Sequence, residues 1–311
     1  MGKTINILLC LDDINWDYTR HCAVTLLSLL ETNKKNRLKI YILSSILPEE
    51  NIGELSRIVK LYNQEINFII SDNIVPGELK KVIINRRESV RWPWYRRFFP
   101  NIIKNVDRIL YMDCDVLVTG DISTIYNMDM HGKAIAGYFD CFPFRCKNKL
   151  FHIKNYINSW VLLFDVKKYD VHKVNVSKMQ EINEKFSKYF HWWDQDKANI
   201  IFQDDIYVYK RCMNYQITSK FFNIWLDDAK IVHCLNKPYI QYSNIPKKLV
   251  KLYYHYLDMT KRKWYPEKKA DYWYIIHIYI LIRNFCFHWL IYLLWDKLSE
   301  RLFNKIWKIF L

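Results

Sequence analysis

Short hydrophobic runs alternate with amphipathic stretches over the first 70 residues of the chain. Residues 5–11, 38–43 and 66–70 are mostly apolar, which predicts buried β-strands. Between them, residues 21–33 and 49–62 carry apolar side chains at helical spacing, which predicts two α-helices. This alternation of strands and helices predicts an α/β fold, with a mostly parallel sheet flanked by helices on both faces.

The same periodicities continue through the middle of the chain. In chain order they predict a helix at 96–105, strands at 108–112, 133–138 and 161–165, and helices at 172–188 and 196–210. A chain of 311 residues is long enough for one large α/β domain with an appendage. Because 51% of its residues are hydrophobic, a disordered chain is excluded.

Composition adds a strong positive charge to this picture. Lysine and arginine outnumber aspartate and glutamate by 47 to 32, and the net charge of +15 favours an anionic partner: a nucleic acid, a membrane surface or a phosphorylated substrate. The eight cysteines are scattered without a Cys-x-x-Cys spacing, so we expect reduced thiols in a cytosolic compartment and no structural zinc site. Because the N-terminus leads directly into a predicted strand, we expect no signal peptide.

The composition changes near residue 245. We therefore predict an α/β domain at residues 1–245 and a basic, aromatic, helical region at 246–311. Residues 272–295 approach the length of a membrane span, but Arg283 and Asn284 lie at the centre of the segment, where charge is costly in a bilayer. The last residues combine a basic stripe with an apolar one, which is typical of a helix lying on an anionic membrane surface. The alternatives are a helix packed on its own domain or a second subunit, and a true membrane span.

Polar side chains follow several of the predicted strands, where open α/β sheets bind ligands. Asp113 and Asp115 come directly after the strand at 108–112, and two carboxylates at a strand end can hold a divalent cation that in turn binds a diphosphate. Further polar groups are found at residues 12–16, at 194–196 and at His233. Taken singly, each has an ordinary structural explanation: a chance surface pair, a helix cap or a buried core histidine.

Taken together, these segments resemble the retaining glycosyltransferases of family 8, the family of glycogenin and of bacterial lipopolysaccharide galactosyl- and glucosyltransferases. The resemblance extends from about residue 5 to residue 265. The segments that carry it are Leu11-Asp12-Asp13, the run Tyr-Arg-Arg-Phe-Phe-Pro at 95–100, the run from Arg108 to Asp121, Asp194-Gln195-Asp196, and His233 with Lys237-Pro238. It implies a GT-A fold, in which residues 1–245 form a nucleotide-sugar-binding catalytic domain that uses Mn²⁺ and a UDP-sugar.

The resemblance also implies a role for each matched residue. The metal ligands would be Asp113, Asp115 and His233. The uracil would be held by Asp12, Asn15 and Trp16, and the diphosphate by Lys237. The donor sugar would contact Arg96, Asp140, Asn158 and Asp194, with Gln195 facing the anomeric carbon.

Three positions depart from the family pattern. Asn158-Ser159-Trp160 stands where the family usually has Asn-Ala-Gly, so a large ring replaces a glycine beside the donor sugar. The loop between His233 and Lys237 is short and lacks the usual glycine. Ile14 is an extra residue in the predicted nucleotide loop.

The expected function is transfer of galactose or glucose from a UDP-hexose, with Mn²⁺ or Mg²⁺, to a lipid-linked or lipopolysaccharide-core saccharide. We expect it at an anionic membrane surface, on the inner face of a bacterial cell membrane, and without nucleic acid. A neutral amide such as that of Gln195 is a poor nucleophile, which favours front-face attack assisted by the leaving phosphate. The alternatives are an inverting GT-A transferase with Asp194 as base, a non-catalytic basic membrane- or nucleic-acid-binding protein, and a dehalogenase-type phosphatase, for which Leu117 replaces a required threonine.

Overall fold

A seven-stranded sheet organises the part of the chain that the structure describes. The structure is a computed structural model that describes residues 4–14, 16, 18–71, 73–83, 92–140, 144–190, 193–217, 228–234 and 246–262. The strands are β1 (Ile5–Cys10), β2 (Leu38–Ser44), β3 (Glu65–Ile70), β4 (Arg108–Met112), β5 (Val116–Val118), β6 (Ile135–Gly137), β7 (Val161–Asp165), β8 (Ile206–Val208), β9 (Tyr215–Ile217) and β10 (Ile231–Cys234). The helices are α1 (Thr19–Thr32), α2 (Glu49–Lys60), α3 (Gly77–Ile83), α4 (Trp92–Phe98), α5 (Ser123–Tyr126), α6 (Phe144–Phe151), α7 (Val176–Phe186), α8 (Trp193–Ile201) and α9 (Lys247–Met259).

The strands of the large sheet follow the order β3-β2-β1-β4-β7-β6-β8. Strands β3, β2, β1 and β4 are parallel to one another, β7 is antiparallel to both β4 and β6, and β8 is parallel to β6. The mostly parallel sheet is therefore as predicted. A small second sheet has the order β5-β10-β9.

The strand order reverses between β1 and β4, because the chain builds outward from β1 to β3 and then returns to the other side of β1. Open α/β sheets bind ligands at such a switch point, in the crevice outside the carboxyl ends of the strands. Asp12 follows β1 and Asp113 follows β4, so both border this crevice.

The two faces of the sheet bury separate hydrophobic cores. Along β1, Ile7 and Leu9 belong to one core and Leu8 and Cys10 to the other, and all four are fully buried. This is the period of two that a strand covered on both faces requires. Helices α1 and α9 lie on the first core, and α4 lies on the second.

Two predicted helices are wrong in extent. The helix predicted at 96–105 occupies Trp92–Phe98 and then tightens into a 3-10 turn at Phe99–Asn101, because a proline at position 100 lacks an N–H and restricts the residue before it. The helix predicted at 196–210 ends at Ile201. The chain then enters β8, where Ile206 pairs with Ile135 of β6. Strand pairing thus replaces the helix that the local pattern favoured.

Other predicted boundaries differ by smaller amounts. The helix predicted at 172–188 begins at Val176, because the side chain of Asn175 accepts a hydrogen bond from the N–H of Lys178 and caps it. The strand predicted at 133–138 is the shorter β6. Strands β4 and β7 have the predicted ends.

Helix α9 belongs to the predicted C-terminal region but packs on α1. Leu249 and Tyr253 are buried there, and the Tyr253 hydroxyl lies 2.8 Å from Nδ1 of His21. By compactness the chain divides into Met1–Trp264 and Tyr265–Leu311, and all described residues belong to the first unit. The membrane-associating segments predicted beyond residue 262 lie outside the described residues. No helix in the described part of the chain combines the length and hydrophobicity needed to span a bilayer.

Candidate active site

Two carboxylates and an imidazole meet at the carboxyl end of β4. Asp113 and Asp115 lie in the turn between β4 and β5, while Cys114 between them faces the core and donates to the carbonyl of Cys10. Strand β10 runs antiparallel to β5 with His233 opposite Val116, which brings the imidazole beside Asp115. Nε2 of His233 lies 3.2 Å from Oδ1 of Asp115. All three predicted metal ligands are buried, and one ligand atom from each lies within 4.8 Å of the others.

This donor set suits a divalent cation. Carboxylate oxygens are preferred ligands of Mg²⁺ and Mn²⁺, and an imidazole nitrogen also coordinates first-row divalent ions. The three residues come from two separate parts of the chain, joined by the small sheet, so the sheet holds the ligands in place. The residues present therefore fit the predicted cofactor.

Hydroxyl groups and a guanidinium hold the two carboxylates. Tyr18 donates to Oδ2 of Asp115 at 3.0 Å, and Tyr111 donates to Oδ1 of Asp113. Arg96 donates from Nη1 to the same oxygen of Asp113 at 3.1 Å. Burial raises the pKa of Asp113 to about 6; the Arg96 guanidinium opposes this rise and the Asp115 carboxylate adds to it.

Arg96 links this cluster to the predicted donor-sugar residues. Its Nη2 donates to Oγ of Ser159 at 2.9 Å and forms an ion pair with Asp194. Burial alone would lower the pKa of Arg96, but the field of Tyr111, Asp194 and Asp113 outweighs burial and raises it. The guanidinium is therefore a permanent positive charge between the two parts of the site.

Gln195 lies at the centre of the second part. Its Oε1 accepts hydrogen bonds from the Ser159 N–H at 2.9 Å, the Ser159 hydroxyl at 3.1 Å and Nδ2 of Asn158 at 3.3 Å. Its Nε2 donates to Asp140 and, at 3.1 Å, to the hydroxyl of Tyr156. The side chain is 1% exposed, so the amide is fixed in one orientation.

Helix α8 is clamped to the segment that precedes β7. Nδ2 of Asn199 donates to the carbonyl of Ile157 and its Oδ1 accepts from the N–H of the same residue, both at 2.8 Å. One turn earlier, Asp196 forms a buried ion pair with Lys147 and accepts from the Tyr156 hydroxyl. These contacts set the position of the first turn of α8, which carries Gln195.

Asn158 and Trp160 connect this network to the cluster of Asp113, Asp115 and His233. Oδ1 of Asn158 accepts from the N–H of Trp160 at 3.0 Å and from Nδ2 of Asn214 at 3.2 Å. The carbonyl of Trp160 accepts from the N–H of Asp113 at 2.9 Å. The indole lies against the His233 imidazole, with ring centroids 4.3 Å apart and planes at 89°.

The predicted nucleotide loop has mixed roles. Asp12 accepts from the Ser45 N–H at 2.7 Å and from the Tyr95 hydroxyl at 3.2 Å, which ties it to β2 and α4. Asp13 instead caps α1: its Oδ2 accepts from the Thr19 hydroxyl at 2.6 Å and from nearby N–H groups. The helix-cap interpretation therefore holds for Asp13.

Trp16 has an unusual environment. Its backbone is left-handed, with φ of 67°, a conformation that bulky residues rarely adopt. The Arg262 guanidinium, from the segment after α9, lies 3.6 Å from the centroid of its ring. Two predicted site residues, Asn15 and Lys237, lie outside the described residues.

The family is decided by comparison with known sequences. The model of glycosyl transferase family 8 matches residues 6–239. The chain belongs to this family. The resemblance recognised from the sequence segments is thus confirmed.

Two of the curated relatives are named as glycosyltransferases. GlyF, a glycosyltransferase of Streptococcus pneumoniae serotype 4, is 27% identical over 244 residues that cover 76% of this chain and 57% of GlyF. A lipopolysaccharide 1,2-glucosyltransferase of Escherichia coli is 24% identical over 232 residues that cover 70% of this chain and 65% of the relative. The chain therefore spans less than two thirds of the length of either protein.

A solved structure shares the fold of this family 8 chain. The crystal structure of the galactosyltransferase LgtC, in complex with donor and acceptor sugar analogues, superposes with a TM-score of 0.68 at 18% identity. The match covers 85% of this chain and 98% of LgtC. It confirms the predicted α/β fold with a mostly parallel central sheet.

The structure brings most of the predicted site residues into one connected network. Arg96 contacts Asp113 and Asp194, while Gln195 contacts Asp140 and Asn158. The sequence interpretation missed the hydroxyl groups that join these residues, which belong to Tyr18, Tyr111, Tyr156 and Ser159. For Tyr111 a signal was available, because it lies in an apolar run and a buried tyrosine hydroxyl needs a hydrogen-bond partner.

Proposed function

We propose that the protein is a retaining glycosyltransferase that transfers galactose or glucose from a UDP-hexose, with Mn²⁺ or Mg²⁺ as cofactor. One observation carries the proposal: Arg96 joins the buried Asp113–Asp115–His233 cluster to the Asp194–Gln195 network at the switch point of the sheet. A site for a metal diphosphate thus adjoins a site rich in hydrogen-bonding groups, as a nucleotide-sugar donor requires. Membership of glycosyl transferase family 8 supports the same reaction class.

Different groups of residues would bind different parts of the donor. A divalent cation held by Asp113, Asp115 and His233 would supply positive charge that offsets the charge growing on the leaving UDP. We assign Asp12, Asn15 and Trp16 to the uracil and Lys237 to the diphosphate. We assign the sugar hydroxyls to the remaining predicted residues, namely Arg96, Asp140, Asn158 and Asp194.

The hydrogen bonds of Gln195 support front-face attack. An amide oxygen has two lone pairs, and three donors from Ser159 and Asn158 already point at Oε1. This oxygen is therefore a poor nucleophile, and a covalent intermediate on it is disfavoured. In the proposed step the acceptor hydroxyl forms a bond to the anomeric carbon while the bond from that carbon to the diphosphate breaks. The hydroxyl proton passes to an oxygen of the leaving diphosphate, and Gln195 holds the sugar in place.

We further propose a lipid-linked or lipopolysaccharide-core saccharide as acceptor, reached from the inner face of a bacterial cell membrane. The similarity to a lipopolysaccharide 1,2-glucosyltransferase supports this acceptor class. The net charge of +15 and the basic, aromatic region at 246–311 support attachment to an anionic membrane surface.

A donor hydrolysis screen tests the proposal. The full chain is incubated with UDP-galactose, UDP-glucose and other nucleotide sugars, with Mn²⁺ or with a chelator. We expect slow, Mn²⁺-dependent hydrolysis of one UDP-hexose, lost in Asp113→Ala and in Asp115→Ala. The matched control is Asp129→Ala, which removes a carboxylate whose side chain is 77% exposed and should leave hydrolysis unchanged.

Two results would contradict this function. Near-normal turnover in both cluster variants would remove the proposed metal site. A β-linked product, seen by NMR after transfer to an acceptor, would favour the inverting alternative with Asp194 as base.

A further inference from the structure

His233 lacks a contact that metal-binding histidines usually have. A histidine that ligates a metal through one ring nitrogen almost always donates a hydrogen bond from the other, which fixes the orientation of the ring. Here Nε2 faces Asp115 at 3.2 Å, so Nδ1 is the other nitrogen. Among the described residues, this buried Nδ1 has no hydrogen-bond partner. Something else must hold the imidazole in place.

Trp160 makes an aromatic contact with His233 in place of the missing hydrogen bond. The indole and imidazole planes are perpendicular at 89°, with centroids 4.3 Å apart, which is the edge-to-face arrangement that aromatic pairs prefer. This packing restricts rotation of the imidazole out of its plane. The contact with Asp115 then selects which nitrogen faces the cluster.

Backbone hydrogen bonds hold Trp160 so that its indole lies against the imidazole of His233. The residue accepts from the N–H of Asp113 through its carbonyl and donates to Asn158 through its own N–H. It is thereby tied directly to one of the metal-ligand positions. A glycine at this position could not pack on the imidazole.

We propose that Trp160 is a positioning residue, whose indole orients His233 as a metal ligand in place of the usual hydrogen bond to Nδ1. This inference rests on the metal site of the proposed function. It predicts that the affinity for Mn²⁺ depends on an aromatic ring at position 160.

Mn²⁺ binding to the full-length protein tests this directly. The free ion is measured by electron paramagnetic resonance during titration, without nucleotide and then with UDP, so catalysis plays no part. We expect Trp160→Ala and Trp160→Gly to lower the Mn²⁺ affinity by about 10-fold or more, the usual effect of losing a group that orients a ligand. Trp160→Phe should recover most of the affinity, because a smaller ring can still pack edge-to-face.

Controls separate orientation from a general loss of structure. Tyr207→Ala removes another aromatic contact to a histidine, with His131 at a centroid distance of 5.0 Å, and should leave Mn²⁺ affinity unchanged. Far-UV circular dichroism and melting temperature are recorded for every variant. Equal losses in Trp160→Phe and Trp160→Ala would overturn the inference, because the aromatic contact would then not be what matters.

The variant His233→Ala separates a failure of the proposed metal site from a failure of the role proposed for Trp160. If it weakens Mn²⁺ binding while Trp160→Ala does not, the metal site stands and the role of Trp160 is refuted. If His233→Ala leaves Mn²⁺ binding unchanged, both the metal site and the inference built on it fail.

Discussion

Replacement of Arg96 by methionine should remove a large part of the folding free energy. The guanidinium is 3% exposed and is paired with two carboxylates, those of Asp113 and Asp194. Methionine retains an unbranched stem that can still pack. The substitution therefore removes the charge and its hydrogen bonds, and it leaves the buried Asp113 without its cationic partner.

The expected loss is about 3–5 kcal/mol, the usual cost of deleting one partner of a buried ion pair. Folded domains are stable by only about 5–15 kcal/mol, so such a loss is easily measured. An exposed pair offers the comparison. Arg37 and Glu65 lie 2.8 Å apart with side chains 65% and 45% exposed. Arg37→Met should therefore cost only about 0–1 kcal/mol.

Urea unfolding followed by far-UV circular dichroism measures both variants. The protein is kept in a chelator, so that no cation compensates the carboxylates. The two substitutions are identical in chemistry, but Arg96 is buried and pairs with two carboxylates, whereas Arg37 is exposed and pairs with Glu65. If Arg96→Met loses no more than Arg37→Met, the guanidinium does not hold the two parts of the site together, and the account of the network is refuted.

Two further outcomes follow from the proposed mechanism. Gln195→Ala should lower turnover by no more than about 10²-fold, since in the proposed mechanism the amide positions the sugar and forms no covalent bond to it. Mass spectrometry after incubation with donor alone should find no glycosylated enzyme. The transfer product should stay α-linked. Truncation before Asp271 should abolish sedimentation with anionic vesicles. The full chain should sediment with these vesicles, and high salt should weaken its binding without abolishing it, because salt does not screen apolar contacts. The truncated protein should still hydrolyse the donor, since it keeps the contact between Arg262 and Trp16; loss of UDP binding would contradict the two-part architecture.

The parts of the fold that were predictable share one property, which is a long and strongly periodic sequence pattern. Strands β1 to β4 and β7 are mostly apolar runs, and α1 and α2 show a clear helical period. Strands β5 and β9 have three residues each, which is too short for a period to be visible. Their pairing depends on distant positions, such as Val118 with Ile231, which no local pattern reports.

Residue types in the site were predictable, but the contacts between them were not. Carboxylates and amides after predicted strands pointed to a ligand site, because charge at a strand end needs an explanation. Tyr111 lies in the apolar run of a predicted strand, which is typical of a core residue, while Tyr156 lies among polar residues at 154–158. Only the folded chain shows that their hydroxyl groups face Asp113 and Gln195.

The run Asp194-Gln195-Asp196 shows why a motif read as one unit divides into separate roles. Successive residues of a helix point about 100° apart, since 3.6 residues make a turn. Asp194 accordingly contacts Arg96, Gln195 contacts Asp140 and the segment before β7, and Asp196 contacts Lys147. One turn of α8 thus carries the contact with the guanidinium, the buried amide of Gln195 and a structural ion pair. Because Asn199 clamps this helix to Ile157, any displacement of α8 must move all three contacts together. The positions of Asp194 and Gln195 in the proposed donor site are therefore set by a helix that is fixed to the segment before β7.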